Sequence, residues 1–144
     1  MVDGRLRVAV RFYVDADALG LAKIMVRLRW DMTYPGDAGG TVKRHSGPPC
    51  PITTTDVDDA LWIPRVAAQG WAIISRDSKI ERRPAEGVAV RDNGAKLFAL
   101  ASDEKLDVWH LEILMCNWRA INRLADAPGP YIYRVTRTKM TKLL

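Results

Sequence analysis

Apolar and polar positions fall in blocks along this chain. Val8–Val14 (VAVRFYV), Trp71–Ser75 (WAIIS) and Lys96–Ala101 (KLFALA) are short runs, apolar almost throughout. Such runs suit parallel strands covered on both faces. Between them the spacing turns helical: Ala18, Leu21, Ala22, Met25 and Leu28 predict a helix over Ala18–Trp30, with Asp17 as its N-cap. Asp31–Tyr34 predicts a short strand before the Pro35-Gly36 turn. A second helix is expected from near Leu61 to before Gly70, with Pro64 in its first turn. Pro84 and Gly94 bracket a third. Val108, Leu111, Met115, Trp118, Ile121 and Ala125 predict one long amphipathic helix, ended by Pro128-Gly129-Pro130. Tyr131–Thr138 (YIYRVTRT) reads as the last strand.

Strands separated by helices, each strand apolar on both sides, predict an α/β fold. Its form is a three-layer α/β/α sandwich with a mainly parallel central sheet. The 144 residues make one domain, 1–144, long enough to bury a core and without repeat or linker. Residues 36–56, rich in Gly and Pro, are expected to form a long loop, a feature usually functional or mobile in a compact domain.

Composition narrows the class. A chain that is 48% apolar and 27% charged is a folded one. No apolar run is long enough to span a bilayer and no signal-peptide core opens the chain, so no membrane contact and a cytoplasmic location are expected. Cys50 and Cys116 form no CxxC, and His45 and His110 complete no four-ligand zinc set, which leaves two reduced structural cysteines. The net charge of +5 favours a polyanionic partner.

The chemistry lies in the aspartates. In an open parallel sheet, functional residues gather beyond the carboxyl ends of the strands. Asp15 and Asp17 follow the first strand, Asp77 follows WAIIS, and Asp58 and Asp59 precede a helix. If these stretches converge, their carboxylates repel one another unless a cation relieves them. Mg²⁺ and Mn²⁺ prefer such oxygen donors, and a metal held there activates water and neutralises a phosphodiester. Each aspartate alone also has a plain structural role as a helix cap or turn residue. Arg76, Lys79, Arg82 and Arg83 surround Asp77 in sequence. Charge runs are commonly solvated faces, but beside a carboxylate site they would grip the flanking phosphates.

Three stretches carry a resemblance. FYVDADALGLAKIM, DVDDALWIPRVAAQGWAIISRDSKI and GPYIYRVT together resemble the PIN-like proteins of VapC type, the ribonuclease toxins of bacterial toxin–antitoxin pairs. The likeness runs from about residue 11 to residue 138 and is sharpest at IISRD with the helix before it. It implies an α/β/α domain that binds Mg²⁺ or Mn²⁺ through clustered acidic residues and cleaves RNA. It also implies an antitoxin partner over the acidic groove, and often a homodimer. Position by position, Asp15, Asp59 and Asp77 match the catalytic, metal-binding acids, and Asp17 and Asp58 are second-rank ligands. The further acid of ordinary PIN domains has no clear counterpart, Asp92 being the position considered.

The expected function is thus a metal-dependent endoribonuclease in which Asp15 faces the metal, Asp17 caps a helix, and Arg76, Lys79 and Arg82 contact RNA phosphates. Two alternatives stand beside it. One is a non-catalytic PIN-like binding or regulatory subunit. The other is a haloacid-dehalogenase-like phosphatase, suggested by the strand-then-DxD pattern but with Leu19 where a Thr or Val is wanted.

Overall fold

The computed structural model describes residues 6–7, 9–42, 45–55, 58–76, 84–102 and 104–144. In chain order the strands are β1 (Leu6–Arg7), β2 (Phe12–Val14), β3 (Met32–Thr33), β4 (Gly40–Val42), β5 (His45–Gly47), β6 (Ala72–Ser75), β7 (Lys96–Leu100), β8 (Tyr131–Val135) and β9 (Met140–Lys142). The helices are α1 (Leu19–Leu28), α2 (Asp59–Ala68), α3 (Pro84–Asn93), α4 (Asp107–Cys116) and α5 (Trp118–Leu124).

The main sheet runs β3-β2-β6-β7-β8-β9. All neighbours are parallel except β9, which returns antiparallel to β8. Alternation along the strands decides which helix covers which face. Phe12, Val14, Ile74, Phe98 and Leu100 pack with Leu21 and Met25 of α1, Leu114 of α4 and Ile121 of α5. Tyr13, Ile73 and Leu97 point the other way, onto Trp62, Ile63 and Val66 of α2 and Val90 of α3. The result is the expected three-layer α/β/α sandwich. Among the described residues, no helix is long and apolar enough to cross a membrane.

Several local expectations change. Residues 36–56 are not one open loop: β4 and β5 pair antiparallel inside that span, and β5 pairs parallel with β1 in a second, three-stranded sheet. Helix α2 starts at Asp59, so Pro64 lies in its interior instead of its first turn. A proline there removes one helical N–H bond. Burial of Trp62, Ile63 and Val66 holds the helix regardless. The long C-terminal helix is two helices, broken at Asn117. Its side-chain amide donates to the carbonyl of Ile113 and, across the fold, to that of Thr136, both at 2.8 Å. A side chain that bonds the backbone in this way competes with helical continuation. The expected last strand ends early: β8 stops at Val135, and the Thr136–Lys139 turn, closed by a 2.9 Å amide–carbonyl bond, leads into a further strand, β9, beyond Thr138.

Candidate active site

From β2 the chain goes to β3 on one side and later returns to β6 on the other. That reversal opens a crevice beyond the carboxyl ends of β2 and β6, the usual place for a ligand in an open α/β sheet. Asp15 stands at its rim. Its amide donates to the carbonyl of Ile74 at 2.9 Å, extending the β2–β6 pairing one residue past β2. By alternation Asp15 shares a face with Tyr13, and Ser75 with Ile73, which is the face covered by α2.

α2 brings its own acid to that face. Asp59, its first residue, accepts a hydrogen bond from the Trp62 indole N–H at 2.8 Å. The Trp62 ring lies 5.2 Å from that of Tyr13. The Tyr13 phenol is held protonated well above the usual tyrosine range, first by burial and then by the charges of Asp15, Cys50, Asp17 and Asp59. Three carboxylates from two distant stretches thus act on one buried hydroxyl. On the same face, the Ser75 hydroxyl is buried with no hydrogen-bond partner among the described residues. Buried polar atoms are nearly always paired, so an orphan at the end of a sheet points to a missing neighbour.

The cap expected of Asp17 is made by its neighbour in VDAD. Asp15 is the cap: its Oδ1 accepts from the Ala16 amide at 2.6 Å and opens a 3₁₀ turn, Ala16–Ala18, ahead of α1. Asp17 accepts from the Arg76 amide at 3.1 Å, fastening the end of β6 to the start of α1. The reason is the tight turn, which brings Asp15 within reach of the first free N–H.

Arg76 continues that fastening. Its guanidinium donates to the Lys105 carbonyl, and its Nη1 lies 3.7 Å from Asp107 Oδ1. Asp107, the first residue of α4, was not among the acids expected at this end. It packs directly on α1 at Gly20, where a Cβ would lie 2.1 Å from its Oδ2. The readable signal was Gly20 itself, a poor helix residue in a first turn where a better helix former would be preferred. One turn along α4, His110 is buried. Burial lowers its pKa, and the Arg76 charge lowers it further, against the Leu106 carbonyl 3.2 Å from Nδ1 and the Asp107 charge.

Residues 12–102 match the family described as "PIN like domain", a span from β2 to Ser102 that includes Asp15, Asp17, Asp59 and Ser75. The chain belongs to the PIN-like domain family. It is 32% identical over 104 residues to "Putative ribonuclease VapC45" of Mycobacterium tuberculosis, covering 72% of this chain and 73% of that one. No solved structure matches it. The VapC-type resemblance therefore stands, and the haloacid-dehalogenase alternative is set aside.

The other expected site residues of this PIN-like chain divide cleanly. Asp58 is exposed and caps α2 through its backbone, its carbonyl accepting from the Leu61 and Trp62 amides at 2.8 and 3.1 Å. Asp92 is exposed in the last turn of α3, 3.2 Å from Arg91. α3 leads into the amino end of β7, so Asp92 lies at the opposite end of the sheet from Asp15. Asp77, Lys79 and Arg82 lie outside the described residues, as does Arg83. Among the described residues, no three His, Cys, Asp or Glu side chains gather closely enough to hold a metal by themselves. The donor chemistry is nonetheless that of a hard cation: carboxylate oxygens on two elements and an orphaned hydroxyl, while the Cys50 thiol that also faces Tyr13 has its pKa raised by burial.

Proposed function

We propose that this protein is a metal-dependent endoribonuclease, the toxin of a toxin–antitoxin pair. The observation that carries the reading is the placement of Asp15 and Asp17 at the ends of β2 and β6, with Asp59 held by the Trp62 that packs on Tyr13, at the switch point of a PIN-like sheet. In this reading Asp15, Asp59 and Asp77 hold a Mg²⁺ or Mn²⁺ ion, with Asp17 and Asp58 near it. When bound, such an ion supplies a nucleophilic hydroxide at neutral pH and neutralises charge on the phosphodiester.

The chain's own groups do the positioning. Trp62 fixes the Asp59 carboxylate through its indole N–H. Asp17, bound to the Arg76 amide, sets where the chain leaves β6 and therefore where Asp77 begins. Tyr13 stays a neutral hydroxyl beneath the carboxylates and adds no charge to them. Lys79 and Arg82 are the proposed phosphate contacts. Arg76 reaches a phosphate only by giving up Lys105 and Asp107, so its part in substrate binding is the smaller. The relative's name as a ribonuclease supports the reaction class.

Leu106, Val108 and Trp109 stand 67%, 57% and 40% exposed around the start of α4, beside Arg76 and Asp107. An apolar rim next to a charged site marks a protein-binding surface, which supports an antitoxin covering this end. Homodimer formation belongs to the same proposal.

The test is cleavage of a mixed RNA pool by purified protein with Mg²⁺, with Mn²⁺ and with EDTA, beside Asp15→Asn and Asp77→Asn. Metal-dependent cleavage lost in both variants is expected. Equal cleavage by Asp15→Asn would overturn the site, and no cleavage under any condition would favour the non-catalytic subunit.

A further inference from the structure

A second concave feature lies at the other end of α1. A cleft of about 220 Å³ opens between the last turn of α1, the edge strand β3 and the β4–β5 hairpin. α1 has ten residues, so about 15 Å of helix separates this cleft from Asp15 and Asp17. Its walls include Trp30, Tyr34, Arg27, Arg29, Asp37 and Gly39.

Four of these wall residues have a defined state. Arg29 donates twice to Asp31, at 3.1 and 2.8 Å, and its guanidinium lies 5.7 Å from the Trp30 ring centroid and 5.3 Å from that of Trp118. Its charge is answered, and it stiffens the aromatic wall. Asp37 is equally fixed: Oδ2 accepts from the Thr33 hydroxyl at 3.1 Å and Oδ1 from the Gly39 amide at 2.9 Å. Gly39, at φ +79°, lies so close to the facing hairpin strand that a Cβ would meet the Gly47 carbonyl at 2.6 Å. Arg27 is different, being exposed and without an ion-pair partner among the described residues.

Flat aromatic walls, a fixed carboxylate and a spare cation at the rim are the groups that hold a single nucleotide. The aromatics stack the base and the cation takes the phosphate. A carboxylate oxygen keeps a second lone pair after one hydrogen bond, so Asp37 retains acceptor capacity for base N–H groups. Guanine offers two such donors side by side, which no other common base does. Size decides against a peptide or helix, because the cleft is smaller than the roughly 300–1,000 Å³ sites that enclose drug-sized ligands. We propose that this cleft holds one unpaired guanine nucleotide of the RNA substrate, at a distance from the bond that is cut. The proposal rests on the nuclease reading for its source of RNA but not for the binding itself.

The test is titration with guanosine and uridine 5′-monophosphates and with a guanine-containing single-stranded RNA, all in EDTA. Binding is followed by NMR of the Trp30 indole N–H, assigned with Trp30→Phe. The guanine nucleotide should move that signal. Arg27→Glu should weaken both it and the RNA about tenfold, and Asp37→Asn should erase the preference over uridine. An unmoved Trp30 signal, or both variants binding like wild type, overturns the proposal. So does a mononucleotide in the cleft with RNA affinity indifferent to Arg27→Glu, which would mark a site for free nucleotide. A silent cleft in a chain that cleaves RNA removes this inference and leaves the nuclease, while an occupied cleft in a chain that never cleaves does the opposite.

Discussion

Replacing Gly20 by alanine tests the packing of α4 on α1. The added Cβ would lie 2.1 Å from Asp107 Oδ2 and 2.8 Å from its Cγ, well inside the contact distance of carbon and oxygen. The carboxylate is the free end of a side chain, so it can swing away, but that means leaving Arg76. The Asp107–Arg76 pair is 3.7 Å long with side chains 41% and 27% exposed, and pairs of this kind contribute up to about 1 kcal/mol. Against that loss, alanine in place of glycine stabilises a helix by up to about 1 kcal/mol. The two effects nearly cancel, and Gly20→Ala alone should change stability by less than about 1 kcal/mol, or a few degrees in Tm. The same change made on an Asp107→Ala background meets no carboxylate and should be stabilising. Urea unfolding of wild type, both single variants and the double variant gives the coupling, expected at about 0.5–1 kcal/mol. Coupling within about 0.3 kcal/mol of zero would refute the contact.

Other outcomes follow from groups away from that contact. His110 has a folded-state pKa below its usual value of about 6.5, so the unfolded chain binds its proton more readily. Its contribution is complete above about pH 6.5 and is lost as pH falls toward the folded pKa. His110→Gln should flatten that acid limb in denaturation midpoints measured from pH 7 to pH 5, and an unchanged limb would count against the assignment. Cys116 is exposed, while Cys50 is buried with its thiol pKa pushed up by burial. A thiol reagent should therefore modify one cysteine quickly in the native protein, and equal rates at both would contradict the fold at Cys50. Leu114, fully buried between α4 and the sheet, should cost about 2–5 kcal/mol when truncated to alanine. Asp15→Asn should leave the unfolding midpoint within a few degrees of wild type, by circular dichroism, even where cleavage is abolished.

The layered fold was legible because its signals are local and repeated. FYV, AIIS and LFAL are buried throughout, although the first strand covers only Phe12–Val14 of the expected VAVRFYV, and Pro84 and Gly94 bracket their helix. The misreadings share a cause, which is that partners distant in sequence overrule local pattern. Asn117 breaks an otherwise continuous amphipathic run because Thr136 is there to accept its second N–H. The 36–56 stretch looks like a loop until β1 supplies a strand for β5 to pair with. At the candidate site, the aspartates at strand ends were readable from their position, whereas the division of labour between Asp15 and Asp17 depends on the Arg76 amide sixty residues away. Asp107 was hard to read for the same reason, since its one signal, Gly20, lies far from it in sequence.

The parallel order of the main sheet also bears on how the chain is made. Val14 pairs with Ile74, sixty positions later, and β7 waits for β8 until residue 131. Parallel neighbours cannot be joined by a tight hairpin, and contacts so distant in sequence form slowly because long loops must close first. During synthesis, β2 and its two aspartates leave the ribosome long before any strand exists on the β6 side to hold them in place. A fragment ending before Tyr131 would carry Asp15, Asp17, Asp59 and Asp107 in full, yet it would leave β7 an open edge.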